Sequence, residues 1–331
     1  GIRMEPNMLM RFASVSKLIT AIGIMKLQEM KKLRMNEKVF GPKGILNDTT
    51  YNNGIKDQRY YNITVEQLLR HQAGFNNYAG DPVSSTRYIM MQNHLTTPPD
   101  HKTLLKILLK RHLGYTPGEG KCYSNLGYMI LSMIIEKKSG MKYENFMQKY
   151  VLQPAGCYDM HIAGTYYKDR RPNETKYYMH QGSIPVYEYN NSGRMVEKCY
   201  GDTDLPRLSG AGAWCGSAAE LSRLIASIDG MPHVKDILSK KSIQFMTTEQ
   251  PDHQYSIGWN YTPKSNRPWI RTGSLAGTSA IVLKYPDGQC WILITNTSTW
   301  KGHGFSNDTM AFFEKLRKQF MADMPKKDLF I

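Results

Sequence analysis

The chain has 331 residues, 41% of them hydrophobic, and a formal net charge of +15. This is enough for a complete core in one large domain or two lobes, and no apolar run reaches the roughly 20 residues of a membrane-spanning helix. The charge does not point to nucleic acid, because the basic residues are spread along the chain without an aromatic-interleaved stretch. It suits either a merely soluble surface or an enzyme near anionic cell-envelope polymers.

The first two thirds of the chain are predicted to be mainly helical. Residues 14–34 carry apolar residues at helical spacing with lysines outside, which predicts an amphipathic helix. The apolar positions are Leu18, Ile22, Met25 and Leu27, and the lysines are Lys26, Lys31 and Lys32. A short helix at 63–69 has Thr64 as its cap and Gln67 at the capping-box position. Further helices are expected at 102–112, at 123–138 before Gly140, and at 218–228, while 165–206 is loop-rich with room for a hairpin.

The last third is predicted to be a sheet followed by a helix. Strands are expected at 255–260, 269–272, 279–285 and 289–295, and an amphipathic helix at 307–321. Pro286-Asp287-Gly288 is a strong turn signal between the last two strands. We therefore expect an α/β (α+β) fold of one domain. In it, an antiparallel sheet lobe from residues 1–50 and 235–331 encloses a mainly helical lobe from residues 51–234.

The cysteines are far apart and odd in number, which argues against a complete disulfide framework. They are Cys122, Cys157, Cys199, Cys215 and Cys290. Since there is neither a CxxC pair nor an HExxH motif, we expect no metal site and no cofactor. Cys215 lies in a segment rich in alanine and glycine and is predicted to be a small buried residue.

Ser14-Val15-Ser16-Lys17 is the most informative stretch of the chain. On a helix, Ser14 and Lys17 lie one turn apart on the same face. A buried amine beside a hydroxyl can accept its proton, which makes a nucleophile without histidine. The same spacing recurs at Ser139…Lys142 and Ser298…Lys301, which are predicted to be a helix end and a loop. The alternative for Ser14 is an ordinary helix N-terminal serine.

Two later triplets extend this pattern. Tyr123-Ser124-Asn125 opens the middle helix, and Arg271-Thr272-Gly273 ends a candidate strand. An SxxK motif, a second polar triplet and a KTG-type triplet, in this order, are typical of acyl-transfer serine enzymes. The alternatives are that Tyr123 is a half-buried aromatic at a helix start, Asn125 a helix cap and Arg271 an exposed charge at a strand end.

With these triplets, the chain resembles the serine β-lactamase and penicillin-binding protein superfamily. It is most similar to the branch of class C β-lactamases, D-Ala-D-Ala carboxypeptidases and related esterases. The supporting segments are Arg11-Phe12-Ala13, residues 68–75, Gly210-Ala211-Gly212 with residues 218–224, and residues 255–259. The resemblance implies the β-lactamase/transpeptidase-like fold, in which an antiparallel sheet is flanked by helices beside a mainly helical lobe.

The resemblance also implies a role for each site residue. Ser14 is the expected nucleophile, Lys17 helps to deprotonate it, and Tyr123 is the partner base that later protonates the leaving group. Asn125, Arg271, Thr272 and Gly273 are the expected substrate-binding residues, and the backbone N–H groups of Ser14 and Ser274 form the oxyanion hole. Arg271 replaces the Lys or His usual in this branch. Because arginine binds carboxylates through two parallel hydrogen bonds, it favours an acidic substrate.

The expected function is therefore hydrolysis of a β-lactam or D-alanyl peptide amide through an acyl-enzyme. An esterase and a non-catalytic penicillin-binding-like protein remain alternatives. The resemblance implies a substrate with a carboxylate and a bacterial periplasmic or cell-envelope site. Family members carry two strands before the nucleophile helix, whereas thirteen residues precede Ser14. This predicts an open sheet edge beside the last hairpin, where the protein could self-associate.

Overall fold

The computed structural model describes residues 3–77, 80–252, 255–299 and 301–320. The helices are α1 (Ser16–Glu29), α2 (Thr49–Asn52), α3 (Val65–Leu69), α4 (Thr86–Gln92), α5 (His101–Leu108), α6 (Asn125–Ser139), α7 (Tyr143–Met147), α8 (Leu205–Leu208), α9 (Ala218–Ala226), α10 (Lys240–Thr247) and α11 (His303–Phe320). The strands are β1 (Met10–Arg11), β2 (His161–Ile162), β3 (Val186–Tyr187), β4 (Met195–Val196), β5 (Trp214–Gly216), β6 (Trp269–Leu275), β7 (Thr278–Lys284) and β8 (Cys290–Thr295). None of these helices is long and apolar enough to cross a lipid bilayer.

The main sheet is the antiparallel meander β6-β7-β8. Every residue of β7 is buried, because successive side chains point to opposite faces and both faces are covered. Ala280 and Val282 join the main core, whereas Ile281 and Leu283 pack with Phe313 of α11. The predicted antiparallel sheet flanked by helices is therefore confirmed. Among the described strands β8 pairs with β7 alone, and self-association at this edge remains a prediction.

Helix α1 differs from its prediction in both length and exposure. It runs from Ser16 to Glu29 and follows a 3₁₀ turn at Ala13–Val15. Every residue from Ser16 to Met25 is buried, so this part of the helix has no exposed face and lies in the centre of the fold. Lys26 and Glu29 near its end are partly exposed. Its packing is close: a Cβ on Gly23 would lie 2.5 Å from Met147 Sδ in α7.

The boundaries of two helices follow local capping signals. Thr64 Oγ1 accepts the Gln67 N–H and Gln67 Oε1 accepts the Thr64 N–H, which confirms the predicted capping box before α3. Helix α6 begins two residues later than predicted, because the Ser124 side chain is its cap. It ends at Gly140, whose φ of 72° is left-handed.

The predicted strand at 255–260 is wrong. Tyr255 and Gly258 have φ angles of 56° and 80°, so the described part of this segment is a turn. A Cβ on Gly258 would lie 2.9 Å from Leu18 Cδ1, and the turn packs on α1.

The remaining elements agree with prediction in type. Strands β3 and β4 form a hairpin within the loop-rich region. Helix α11 begins at residue 303 rather than 307, and Met321 lies outside the described residues. One core runs from Leu9 to Ile294, so the division into two lobes at residues 50 and 235 remains a prediction.

Candidate active site

Ser14 lies at the centre of the 3₁₀ turn that joins β1 to α1. From Leu9 to Met25 it is the one residue that is not buried. The turn is anchored by the Phe12 N–H, which donates to Trp214 O at 2.8 Å. Ala13 has a φ of 49°, a conformation that non-glycine residues adopt rarely and that often marks functional sites. The local fold therefore presents one hydroxyl within an otherwise buried segment.

The Ser14 hydroxyl meets a phenol and an amine. Tyr123 Oη lies 2.6 Å from Ser14 Oγ, and Lys17 Nζ donates to the same oxygen at 3.3 Å. The amine also donates to Asn125 Oδ1 and to Ala211 O, both at 2.6 Å. These three acceptors match the three hydrogens of an ammonium group, so Lys17 is held in one position beside the hydroxyl.

Arg271 reaches from β6 to the turn that holds Ser14, the expected nucleophile. Its Nε and Nη2 atoms donate to Ser14 O at 2.9 and 2.5 Å, and Nη2 lies 3.5 Å from Tyr123 Oη. The side chain is 1% exposed, so Arg271 is not the exposed strand-end charge of the alternative interpretation. Two of its donors hold the nucleophile turn, and carboxylate binding by this residue remains a prediction.

The electrostatics of this cluster favour loss of protons. Burial lowers the pKa of Lys17 from its ordinary value, and the charge of Arg271 acts in the same direction. Burial alone would raise the pKa of Tyr123, but the charges of Lys17 and Arg271 and the hydrogen bonds to Lys17 and Ser14 outweigh it. The pKa of Tyr123 is therefore lowered. Both shifts favour the deprotonated forms, in which either group can accept the Ser14 proton.

The rest of the Arg271 triplet packs against the nucleophile turn. A Cβ on Gly273 would lie 2.5 Å from Phe12 O and 2.8 Å from Ser14 N, so only glycine allows β6 to approach this closely. Ser274 follows and is exposed. The Thr272 N–H donates to Asn260 Oδ1 at 2.9 Å. The oxyanion hole of Ser14 and Ser274 backbone groups remains a prediction, as does substrate binding by Thr272 and Gly273.

The second triplet is held by α6 and its approach. Asn125 is the first residue of α6 but not its cap, because the Ser124 side chain takes that place. The Asn125 N–H donates to Asp81 Oδ2 at 2.9 Å, while its side chain accepts from Lys17. Tyr123 precedes the helix and is partly buried. Tyr123 is therefore a half-buried aromatic at the start of the helix, as the alternative interpretation has it, and it also contacts Ser14.

The sequence did not single out His71 as a site residue. The His71 ring stacks on that of Tyr123, with centroids 4.7 Å apart, and its Nδ1 accepts the Ser124 N–H at 3.1 Å. Burial, followed by the charges of Lys17 and Arg271, lowers its pKa well below the ordinary value. His71 is therefore a neutral support for Tyr123. Its one signal in the sequence was its place in residues 68–75.

Asp81 and the Ala211 carbonyl were also missed. Asp81 holds the Asn125 backbone and Ala211 O accepts from Lys17. A backbone acceptor leaves no signature in residue type, and an aspartate is common in loops. Ala211 lay inside a recognised segment, but its contact with Lys17 follows only from tertiary structure.

A model of the Beta-lactamase family matches residues 1–311. The chain belongs to this family. Penicillin-binding protein 4* of Bacillus subtilis (strain 168) is 25% identical over 299 residues, covering 86% of this chain and 59% of that relative. The putative penicillin-binding protein PbpX of the same strain is 27% identical over 253 residues, covering 76% and 53%. The chain thus spans a little over half the length of these curated relatives.

Solved structures of the Beta-lactamase fold superpose on most of the chain. A penicillin binding protein from Bacillus halodurans has a TM-score of 0.71 at 19% identity, covering 95% of this chain and 88% of that one. A D-amino acid amidase from Ochrobactrum anthropi SV3 has a TM-score of 0.67 at 18% identity, covering 94% and 93%. At these identities the likeness shows the fold, and the resemblance inferred from the sequence is confirmed at that level.

Proposed function

We propose that this protein is a serine hydrolase that cleaves an amide through an acyl-enzyme on Ser14. The observation that carries the proposal is the contact of Ser14 Oγ with Tyr123 Oη at 2.6 Å and with Lys17 Nζ at 3.3 Å. A hydroxyl that touches two groups with lowered pKa values, in an otherwise buried segment, has the surroundings of an activated nucleophile.

The reaction would run in two halves. Tyr123 in its phenolate form takes the Ser14 proton while Oγ attacks the substrate carbonyl carbon, and the N–H groups of Ser14 and Ser274 hold the oxyanion. Tyr123 then gives the proton to the leaving amine, and the acyl-enzyme forms. Water next attacks the ester carbon, loses a proton to Tyr123, and releases the acid with the proton returned to Ser14.

The proposed substrate is a D-amino-acid amide, as in a D-alanyl peptide, or a β-lactam. The names of similar proteins support this class: three are called penicillin-binding proteins, one of them as putative, and one is a D-amino acid amidase. A D-stereospecific amidohydrolase from Streptomyces sp. shares the fold at a TM-score of 0.62. Cleavage of such amides by this protein implies a location in the bacterial cell envelope. The net charge of +15 suits the anionic polymers there.

An esterase is the second candidate, and one observation favours it. Arg271 directs two donors at the Ser14 carbonyl, which leaves fewer of them for a substrate carboxylate. A neutral ester needs no such partner. The two candidates share the nucleophile and differ in the leaving group.

Covalent labelling tests the proposal. The protein is incubated with a fluorescent penicillin and separately with a fluorophosphonate, and the adduct is mapped by peptide mass spectrometry. We expect the label on Ser14, and Ser14→Ala should remove it and reduce turnover by about a millionfold. Ser139→Ala is the matched control, because Ser139 has the same spacing to Lys142. If neither reagent labels Ser14, the proposal is contradicted.

A substrate panel then separates the candidates. D-amino-acid amides, their L-enantiomers, a cephalosporin and a simple ester are compared by kcat/KM. Turnover of D-amides over L-amides supports a peptidase or amidase, rapid release of the penicillin adduct supports a β-lactamase, and turnover of the ester alone supports an esterase.

A further inference from the structure

A second cluster of reactive side chains lies on the small sheet beside the nucleophile turn. This sheet has the order β1-β5-β2, and His161 on β2 is the direct partner of Cys215 on β5. Glu174 comes from the loop that bridges to Leu9, next to β1. One ligand atom from each of His161, Glu174 and Cys215 lies within 4.8 Å of the other two, and each residue is at most 5% exposed.

The hydrogen bonds orient the histidine toward the other two groups. His161 Nδ1 lies 2.9 Å from Asp159 O, and a carbonyl can only accept, so Nδ1 carries a hydrogen. In the neutral ring, Nε2 then has no hydrogen and carries a lone pair that can bind a metal ion. It lies 3.8 Å from Glu174 Oε2, which is too far for a hydrogen bond. A backbone bond on one ring nitrogen with the other aimed at a cluster is typical of metal-binding histidines.

The carboxylate is held in the same way. Glu174 Oε1 accepts from Tyr177 Oη at 2.8 Å, and the Arg11 N–H fixes Tyr177 Oη at 2.9 Å. Oε2, the other oxygen, is the one nearest to His161. Tyr177 Oη also lies 3.9 Å from Cys215 Sγ. A thiol, an imidazole nitrogen and a carboxylate oxygen therefore converge, and hydrogen bonds behind them hold two of the three in place.

We propose that His161, Glu174 and Cys215 bind a Zn²⁺ ion, with a water molecule as the fourth ligand. Sulfur, nitrogen and oxygen ligands from three side chains form a set that zinc accepts, whereas calcium and magnesium require oxygen alone. The Cys215 thiol loses its proton to solvent when the ion binds. One thiolate and one carboxylate neutralise the two charges of the ion, so the site does not oppose the nearby Arg11.

The position of this site gives it a structural role. Cys215 is flanked in the sheet by His161 on one side and by Arg11 on the other. Three residues after Arg11 comes Ser14. A bound ion would link β5, β2 and the Glu174 loop, and so stabilise the segment that leads into the nucleophile turn. The ion would not touch the reacting groups.

The test uses Co²⁺ and Zn²⁺ with the complete, metal-free protein. Cobalt bound to a thiolate gives a charge-transfer absorption in the near ultraviolet, and we expect it to saturate at one equivalent. Zinc should displace the cobalt and raise Tm by a few degrees when present in excess of its Kd. Cys215→Ser should abolish the band, and His161→Gln should weaken zinc binding by about a hundredfold.

Cys157→Ser is the matched control, since Cys157 is equally buried and free but bonds to Glu220 O at 3.1 Å. It should keep the band and the zinc-dependent Tm shift. The proposal is overturned if the folded wild-type protein shows no cobalt band. It is also overturned if the band survives in Cys215→Ser. Should Cys215→Ser not fold, Glu174→Gln replaces it and must weaken zinc binding. Ser14→Ala should bind zinc normally, so the outcome is independent of the proposed hydrolase activity.

Discussion

Two tyrosines contact the start of α1, and their pKa values move in opposite directions. Tyr123 lies beside Lys17, whose Nζ is 4.7 Å from the centroid of its ring. Tyr143 lies one turn further along, where its Oη is 2.7 Å from Thr20 Oγ1 and accepts from Trp214 Nε1 at 2.8 Å. Burial raises the pKa of Tyr143 well above its ordinary value, whereas the pKa of Tyr123 is lowered.

The two pKa shifts differ in direction because the two phenols have different neighbouring side chains. Both phenols are desolvated, and desolvation alone disfavours a phenolate. Tyr143 hydrogen-bonds to the neutral side chains of Thr20 and Trp214, and after burial the charge of Glu144 also raises its pKa. It therefore stays protonated and serves packing and hydrogen bonding. Tyr123 meets two cations, Lys17 and Arg271, which reverse the direction of the shift. Two cations beside one phenol therefore distinguish the proposed reaction centre from the rest of the core better than burial does.

The largest effect is expected from Tyr123→Phe. The ring and its stacking on His71 remain, but the hydroxyl that we propose takes the Ser14 proton is lost. We expect the rate of Ser14 acylation to fall by about 10²–10⁴-fold, measured as the rate of fluorescent penicillin incorporation. The free energy of unfolding should change little. A Tyr123→Phe protein that is acylated at the wild-type rate would remove Tyr123 from the mechanism.

Tyr143→Phe is the matched counterpart and should affect stability instead. It leaves the buried Trp214 N–H without its acceptor and removes the contact with Thr20. We expect a loss of about 1–3 kcal/mol in the free energy of unfolding, measured by urea denaturation, with acylation within a few-fold of wild type. A loss of activity comparable to that of Tyr123→Phe would erase the distinction between the two tyrosines.

Arg271→Gln should change the pH dependence. After burial and Lys17, Arg271 is the main influence on the pKa of Tyr123, and it also lowers the pKa of Lys17. Without its charge both pKa values rise, whichever group takes the proton. The limb on which the acylation rate increases with pH should therefore move to higher pH. A pH–rate profile for acylation measures this, and an unmoved or downward-shifted limb contradicts it.

The sequence predicted those parts of the structure that local chemistry determines. The Thr64 capping box, the Gly140 helix end and the turn before β8 each depend on a few neighbouring residues. The pairing of Ser14 with Lys17 was also predictable, because three residues of helical backbone bring the two side chains together. Tyr123 and Arg271 required the resemblance to a family, since nothing local links positions so far apart.

The sequence-based predictions that were wrong or incomplete concern features that tertiary packing determines. Residues 255–260 alternate like a strand, but packing of Gly258 against Leu18 turns the chain instead. The spacing of apolar residues in α1 suggests one exposed face, but Ser16 to Met25 are all buried because other elements cover the helix. Lys17 is buried as expected, and Asn125 and Ala211 accept from its amine. The cluster around Cys215 was invisible because His161, Glu174 and Cys215 are far apart in sequence. Spacing rules detect only ligands that are close along the chain.

The most direct test is to titrate the two tyrosines. Protein labelled with ¹³C at tyrosine Cζ is followed by NMR as a function of pH, and Tyr123→Phe and Tyr143→Phe assign the two resonances. We predict that Tyr123 ionises below the ordinary tyrosine pKa of about 10, while Tyr143 remains protonated above that pH. Ionisation of Tyr123 at or above the ordinary value would contradict the claim that Lys17 and Arg271 prepare it to activate Ser14.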